Sequence, residues 1–84
     1  MSADHYQREY HLTPNGWVPG TSRYYGKIQG EEIPRPDDAV GTWLYDEKQS
    51  HSFSRPDISF TMIWQNDRVS KDTIVELRRR FSDP

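Results

Sequence analysis

The sequence contains no cysteine. This absence excludes disulfide bridges, thiolate zinc sites and a cysteine nucleophile. Small secreted domains with few apolar residues usually depend on disulfides, so we expect a reducing, cytoplasmic location. The first residues show no basic segment followed by an apolar run, and no apolar run is long enough to cross a bilayer. We therefore expect neither a signal peptide nor a membrane span.

The chain also has few aliphatic residues. Leu, Ile, Val and Phe together make up about 18% of its 84 residues, which is below the ~20% at which disorder becomes common. Two observations favour folding: the formal net charge is only −2, and aromatic residues make up 13% of the chain. Because each buried ring removes a large area from water, we expect one small domain, residues 1–84, with an aromatic core.

The motifs of common enzyme classes are missing as well. There is no Gly-x-Ser-x-Gly nucleophile motif, and the segment 26–30 lacks the Gly-Lys-Ser/Thr ending of a phosphate-binding loop. The three histidines, His5, His11 and His51, do not have the spacing of metal ligands. The sequence therefore predicts a protein that is not an enzyme, with no catalytic residue, no cofactor and no metal ion.

The first half of the chain is typical of short strands separated by turns. Alternating residues predict a strand over 6–12, and Pro14-Asn15-Gly16 predicts the turn that follows it. We expect a second turn at Pro19-Gly20 and then a single strand over 21–28. Residues 1–5 are expected to be disordered, and residues 29–41, rich in acidic residues, Pro and Gly, are expected to form a long surface loop.

The second half has the clearest strand. We expect short strands at 42–45 and 51–53 and a longer one at 58–65. Strict alternation in this last segment predicts that four apolar side chains share one face without a break: Ile58, Phe60, Met62 and Trp64.

The period then changes from two residues to that of a helix. Ser70 is a good N-cap, and apolar residues at positions 74, 77 and 81 form one stripe, so we predict a helix over 70–81. The predicted fold class is α+β: a small, meander-like antiparallel sheet of four or five strands, with this C-terminal helix packed on one face.

The uncovered face of such a sheet predicts the function. Exposed rings on it would be an apolar surface that monomers rarely display, and the acidic loop would attract a basic partner. We therefore expect a protein-interaction module, of adaptor or inhibitor type, whose partner is another protein or a second copy of the chain. Its candidate partner-binding residues are Trp17, Tyr25, Glu31, Glu32, Asp37, Asp38, Trp43 and Tyr45. Two other interpretations stay open: the long loop folds over this face, and Trp17 folds back onto the core.

The alternative function is binding of single-stranded nucleic acid. Over 23–27 two tyrosines lie between basic residues, as in strands that stack bases, and three arginines lie in the last turn of the helix. The acidic net charge argues against it, and arginines at a helix C-terminus are also explained by the helix dipole. The candidate residues are Arg23, Tyr24, Tyr25, Lys27, Arg78, Arg79 and Arg80.

Overall fold

The structure is a computed structural model, and it describes residues 4–49 and 55–84. These residues form one antiparallel sheet and a C-terminal helix, so the predicted α+β class is confirmed. In chain order the elements are β1 (Asp4–Thr13), β2 (Gly16–Tyr24), β3 (Lys27–Gln29), β4 (Gly41–Gln49), β5 (Asp57–Gln65) and α1 (Lys71–Phe81).

The strands lie in the order β3-β2-β1-β4-β5. Each of the four neighbouring pairs is antiparallel. The order departs from a simple meander at one connection, because the segment 30–40 leaves β3 at one edge and brings β4 back beside β1. This connection is the predicted long loop, and β1 becomes the central strand. The short strand predicted at 51–53 lies outside the described residues.

Strand β2 contains the Pro19-Gly20 pair that was predicted to be a turn. Pro19 pairs with Tyr10, and a β-bulge between Arg8 and Tyr10 absorbs the extra residue of β2. Strand β3 pairs only with residues 22–24 of β2. The outer side of β2 at Pro19 therefore has no neighbouring strand, and the missing proline N–H interrupts no ladder. The prediction of a turn at Pro19-Gly20 is therefore wrong. A proline is tolerated within β2 because β2 is an edge strand at this position.

The single strand predicted over 21–28 is a hairpin instead. Tyr25 and Gly26 have φ angles of 53° and 79°, and two positive angles between paired strands are typical of a type I′ turn. Gly26 adopts this conformation without strain because it has no Cβ. As a result, Arg23 pairs with Ile28 across the hairpin, and Lys27 lies on the other strand.

Strand β5 has a bulge that divides its predicted apolar face. Trp43 pairs with Met62, whereas the preceding residue, Thr42, pairs with Trp64. Ile63 is therefore the extra residue, and Trp64 lies on the face opposite Phe60 and Met62. The prediction of one unbroken face is wrong for Trp64, because a bulge changes the side to which every later residue points.

The N-terminal strand begins earlier than predicted. Asp4 and His5 belong to β1, so the prediction of disorder through residue 5 is wrong for these two residues. A carboxylate on β4 holds this end: Asp46 accepts hydrogen bonds from His5 Nε2 at 3.0 Å and from Gln7 Nε2 at 2.9 Å. Partial burial opposes ionisation of Asp46, but these bonds to Gln7 and His5 hold its pKa below the ordinary value.

Helix α1 forms as predicted and closes the core. The Ser70 hydroxyl caps it by accepting a hydrogen bond from Thr73 N at 3.2 Å. The helix crosses one end of the sheet, on the face that carries Phe60 and Met62, and its last residue, Phe81, lies against Gly16 at the start of β2. The buried core consists of Leu12, Val40, Trp43, Ile74 and Leu77. No helix in the described parts of the chain is long and apolar enough to span a membrane.

The packing around Trp43 predicts the effect of adding one methyl group. A Cβ at Gly41 would lie 2.8 Å from Cζ3 of Trp43, whose side chain is only 2% exposed. Because the buried ring cannot move aside, we expect Gly41→Ala to lower the free energy of unfolding by about 1–3 kcal/mol. Urea denaturation checks this, with Ser59→Ala on the exposed part of β5 as the control. An unchanged midpoint for Gly41→Ala would contradict the described packing.

Candidate functional site

Helix α1 covers only one end of the sheet face on which it lies. Its 11 residues span about 16 Å, whereas the 10 residues of β1 span about 33 Å. The part of the face beyond the helix presents half-buried residues of β1 and β4. The register places them side by side, and we call them the tyrosine patch: Tyr6, Arg8, Tyr10, Tyr45 and Glu47.

The rings of the tyrosine patch continue the aromatic core outward. Tyr6 contacts Tyr45 edge-on, with 6.2 Å between the ring centroids, and Tyr10 lies 6.1 Å from Phe60. Tyr45 donates a hydrogen bond of 2.5 Å to the Glu47 carboxylate, and this bond raises the pKa of Tyr45 to about 12. This hydrogen bond and the ring contacts hold the side chains of the patch in place.

Arg8 places an unsatisfied donor in the same patch. It pairs in register with Tyr45 on one side and with Ser22 on the other. Its Nε atom is buried and has no hydrogen-bond partner among the described residues. A buried donor without an acceptor costs about 1–3 kcal/mol. The tyrosine patch thus combines fixed rings with a cation whose hydrogen bonds are incomplete.

The opposite face of the sheet is covered by the loop of residues 30–40. The Thr21 hydroxyl accepts a hydrogen bond from Ile33 N at 2.9 Å and donates one of 3.2 Å to Ile33 O. Farther along the loop, the Arg35 guanidinium lies 3.6 Å from the centroid of the Trp64 ring. These contacts fix the loop at both β2 and β5. The loop and the sheet enclose a groove of about 300 Å³, whose lining includes Glu9, His11, Thr21, Arg23, Arg35 and Trp64.

His11 is sealed at the bottom of this groove. The side chain is 1% exposed, and its Nδ1 lies 2.8 Å from the Thr42 hydroxyl. Its Nε2 has no hydrogen-bond partner and lies so close to Gly20 that a Cβ there would come within 2.6 Å. Burial lowers the pKa of His11, so the imidazole is neutral. Among residues 4–49 and 55–84, no three His, Asp or Glu side chains are grouped closely enough to hold a metal ion.

The residues predicted to bind a partner do not form one surface. Trp43 is buried beneath the helix, so the prediction that it contacts a partner is wrong. Trp17 is half-buried and packs edge-on against Trp43, with 5.2 Å between the centroids. Tyr45 belongs to the tyrosine patch, and Tyr25 lies in the β2–β3 turn. The acidic residues are exposed on the loop, which lies on the other face of the sheet: Glu31, Glu32, Asp37 and Asp38.

The open surface therefore lies on a different face from the one expected. The sequence predicts that the face without the helix is free, with a loop folded over it as the alternative, and the structure has the loop there. Within residues 4–49 and 55–84, the area that neither the helix nor the loop covers is the far end of the face that carries the helix. Four of its residues were not predicted as a site: Tyr6, Arg8, Tyr10 and Glu47. The alternation of residues 6, 8 and 10 before the buried Leu12 was a signal for the first three.

The cations of the predicted nucleic-acid surface are dispersed and partly neutralised. Arg23 pairs with Glu9 at 3.2 Å, and Arg79 pairs with Glu76 at 2.8 Å. Arg78 makes two hydrogen bonds of 2.8 Å with Asp83. Tyr24 and Tyr25 lie between the basic residues of the hairpin. Both hydroxyl groups donate hydrogen bonds to Asp4 at 3.0 Å. Lys27 is exposed on the edge strand β3, and Arg80 is exposed on the helix.

Comparison with known proteins found no family model, no curated protein and no solved structure that matches this chain.

The buried imidazole predicts how stability depends on pH. The ordinary pKa of histidine is 6.5, and that of His11 is lower in the folded state. Below pH 6.5 the unfolded chain therefore binds a proton here that the folded protein does not. The free energy of unfolding should fall as the pH decreases from 6.5 towards the lower folded pKa, and this contribution should then level off.

Urea denaturation between pH 7.5 and pH 5 measures this effect. His11→Phe keeps a buried ring of similar shape but removes the titrating group. We expect this variant to lose less stability over the interval than the wild-type protein does. An equal loss in both proteins would show that His11 does not carry the dependence.

Proposed function

We propose that this protein is a non-enzymatic interaction module that binds another protein through the tyrosine patch. One observation carries the proposal. Helix α1 leaves one end of its sheet face uncovered, and Tyr6, Tyr10 and Tyr45 lie there around the unsatisfied Nε of Arg8. Tyrosine and arginine are the residue types that most often dominate binding energy at protein interfaces, together with tryptophan.

The arrangement also supports a particular kind of partner surface. The rings pack against one another before any partner binds, so little side-chain entropy remains to be lost on association. The Nε of Arg8 has no acceptor among the described residues, and a carboxylate or a backbone carbonyl is the group that satisfies a guanidinium best. A protein surface with such an acceptor among apolar side chains fits the patch.

Two features favour this function over the other classes considered. The histidine in the groove is packed against Gly20, which leaves its free nitrogen no room to reach a substrate. Three arginines proposed for nucleic acid already have carboxylate partners, so binding phosphates with them would require breaking ion pairs. The absence of cysteine supports a cytoplasmic setting as part of the same proposal.

The experiment compares the capture of partner proteins by variants. Tagged protein is incubated with an extract of the cells that naturally produce it, and the captured proteins are quantified by mass spectrometry. The two test variants are Arg8→Ala and Tyr45→Ser, and the matched control is Ile28→Ser. Ile28 is 46% exposed but lies on β3, outside the patch. Circular dichroism verifies that each variant is folded.

We expect at least one protein whose capture falls about tenfold in both test variants, the loss typical of a central interface residue. Its capture by Ile28→Ser should stay within twofold of wild type. Capture that is the same for all variants, or no capture at all, would refute the proposal. Salt-sensitive binding of a single-stranded oligonucleotide that does not depend on Tyr45 would refute it in favour of the nucleic-acid alternative.

A further inference from the structure

The outer edge of β5 is unusual for an edge strand. Among the described residues, no other strand pairs with the outer side of its 9 residues. From Ile58 to Gln65 the strand contains no charged residue and no proline. Proteins usually prevent pairing with another chain by placing lysine, proline or a very short strand at an edge. The opposite edge follows this rule, because β3 has only 3 residues and begins with Lys27.

An apolar groove lies beside this edge on the face that carries the helix. It has a volume of about 200 Å³, and it is formed by the start of α1 and the end of β5. Val75 is 66% exposed at its rim. The other lining residues are Met62, Gln65, Lys71 and Ile74. Within the same strand, Ile58 points to the same face and is 53% exposed.

We propose that β5 pairs antiparallel with β5 of a second copy, which makes one sheet of ten strands. The inference concerns a different set of residues from the tyrosine patch and does not depend on the proposed function. A two-fold axis at Phe60 uses the regular part of the strand, before the bulge at Ile63. Each copy then presents the same surface to the other, as an isologous interface requires.

This register makes the two exposed features complementary. With the axis at Phe60, Ile58 of each copy lies opposite Met62 of the other, at the apolar groove. Ser59 lies opposite Thr61, and both are exposed on the other face. The exposed Ile58 of each copy is thus buried in the apolar groove of the other copy, and the two-fold axis makes the two contacts identical.

The charges near the edge agree with the same register. Asp57, the only charged residue of β5, precedes Ile58. Lys71 lines the groove that receives Ile58 of the other copy. Docking therefore brings the Asp57 carboxylate of one copy towards the Lys71 ammonium group of the other.

The first test measures the oligomeric state of the purified protein by sedimentation over a range of concentrations. We expect a reversible dimer. Ile58→Lys would bury a charge in the groove, so its dimer dissociation constant should rise at least tenfold. The matched control, Ile28→Lys, places the same charge at the other edge and should change the constant less than twofold. Two results would overturn the proposal. The first is a wild-type protein that stays monomeric, as expected if β5 pairs only with a different protein. The second is a dimer that Ile58→Lys leaves intact.

The second test determines the register and does not depend on a destabilising variant. Because the chain has no cysteine, Ser59→Cys and Thr61→Cys each introduce a single thiol on the exposed face. Opposite residues of paired strands are close enough for a disulfide. Under mild oxidation a mixture of the two variants should form the mixed dimer at least fivefold faster than either variant forms its own. Cross-linking no faster than that of Ile28→Cys would overturn the pairing.

Discussion

The fold depends on the packing of one indole beneath a short helix. Trp43 is 2% exposed, and the buried cluster around it is completed by Leu12, Val40, Ile74 and Leu77. Because the chain has few aliphatic residues, a single large aromatic ring fills the largest share of its core. The close approach of the ring to Gly41 belongs to the same constraint, because the backbone of β4 leaves no space for a side chain there. An isolated helix of 11 residues is marginal in water, so α1 owes its stability to this contact.

Because helix α1 packs on only a small part of the sheet, the residues of β1 and β4 beyond it stay partly exposed. Along β1, alternate residues face the helix side, and they change from the fully buried Leu12 to the half-buried Tyr10, Arg8 and Tyr6 as the strand leaves the helix behind. The same gradient occurs on β4, from Trp43 to Tyr45. The tyrosine patch is therefore a continuation of the core beyond the end of the helix. Tyrosine suits this position, because its ring packs against neighbours while its hydroxyl group stays accessible to water or to a partner.

The sequence predicts the elements better than their connections. Alternation over β5 and the apolar stripe of α1 are local signals, and both elements form where they are expected. The bulge at Ile63 has no such signal, because it depends on how β5 matches the residues of β4. The position of the open face was missed for a similar reason. Whether the loop covers the sheet is decided by contacts between distant residues, Thr21 with Ile33 and Arg35 with Trp64, which no local pattern specifies.

The two proposed surfaces have a geometric relation that gives them a combined meaning. A two-fold axis perpendicular to the sheet at Phe60 would leave both helices, and both tyrosine patches, on the same face of the ten-stranded sheet. A partner with two copies of the complementary surface would then bind both patches at once, and the second contact would form at a high effective concentration. Modest affinity at each small patch would suffice for stable binding. Dimerisation through an edge that carries none of the patch residues would thus compensate for the limited area of a single patch.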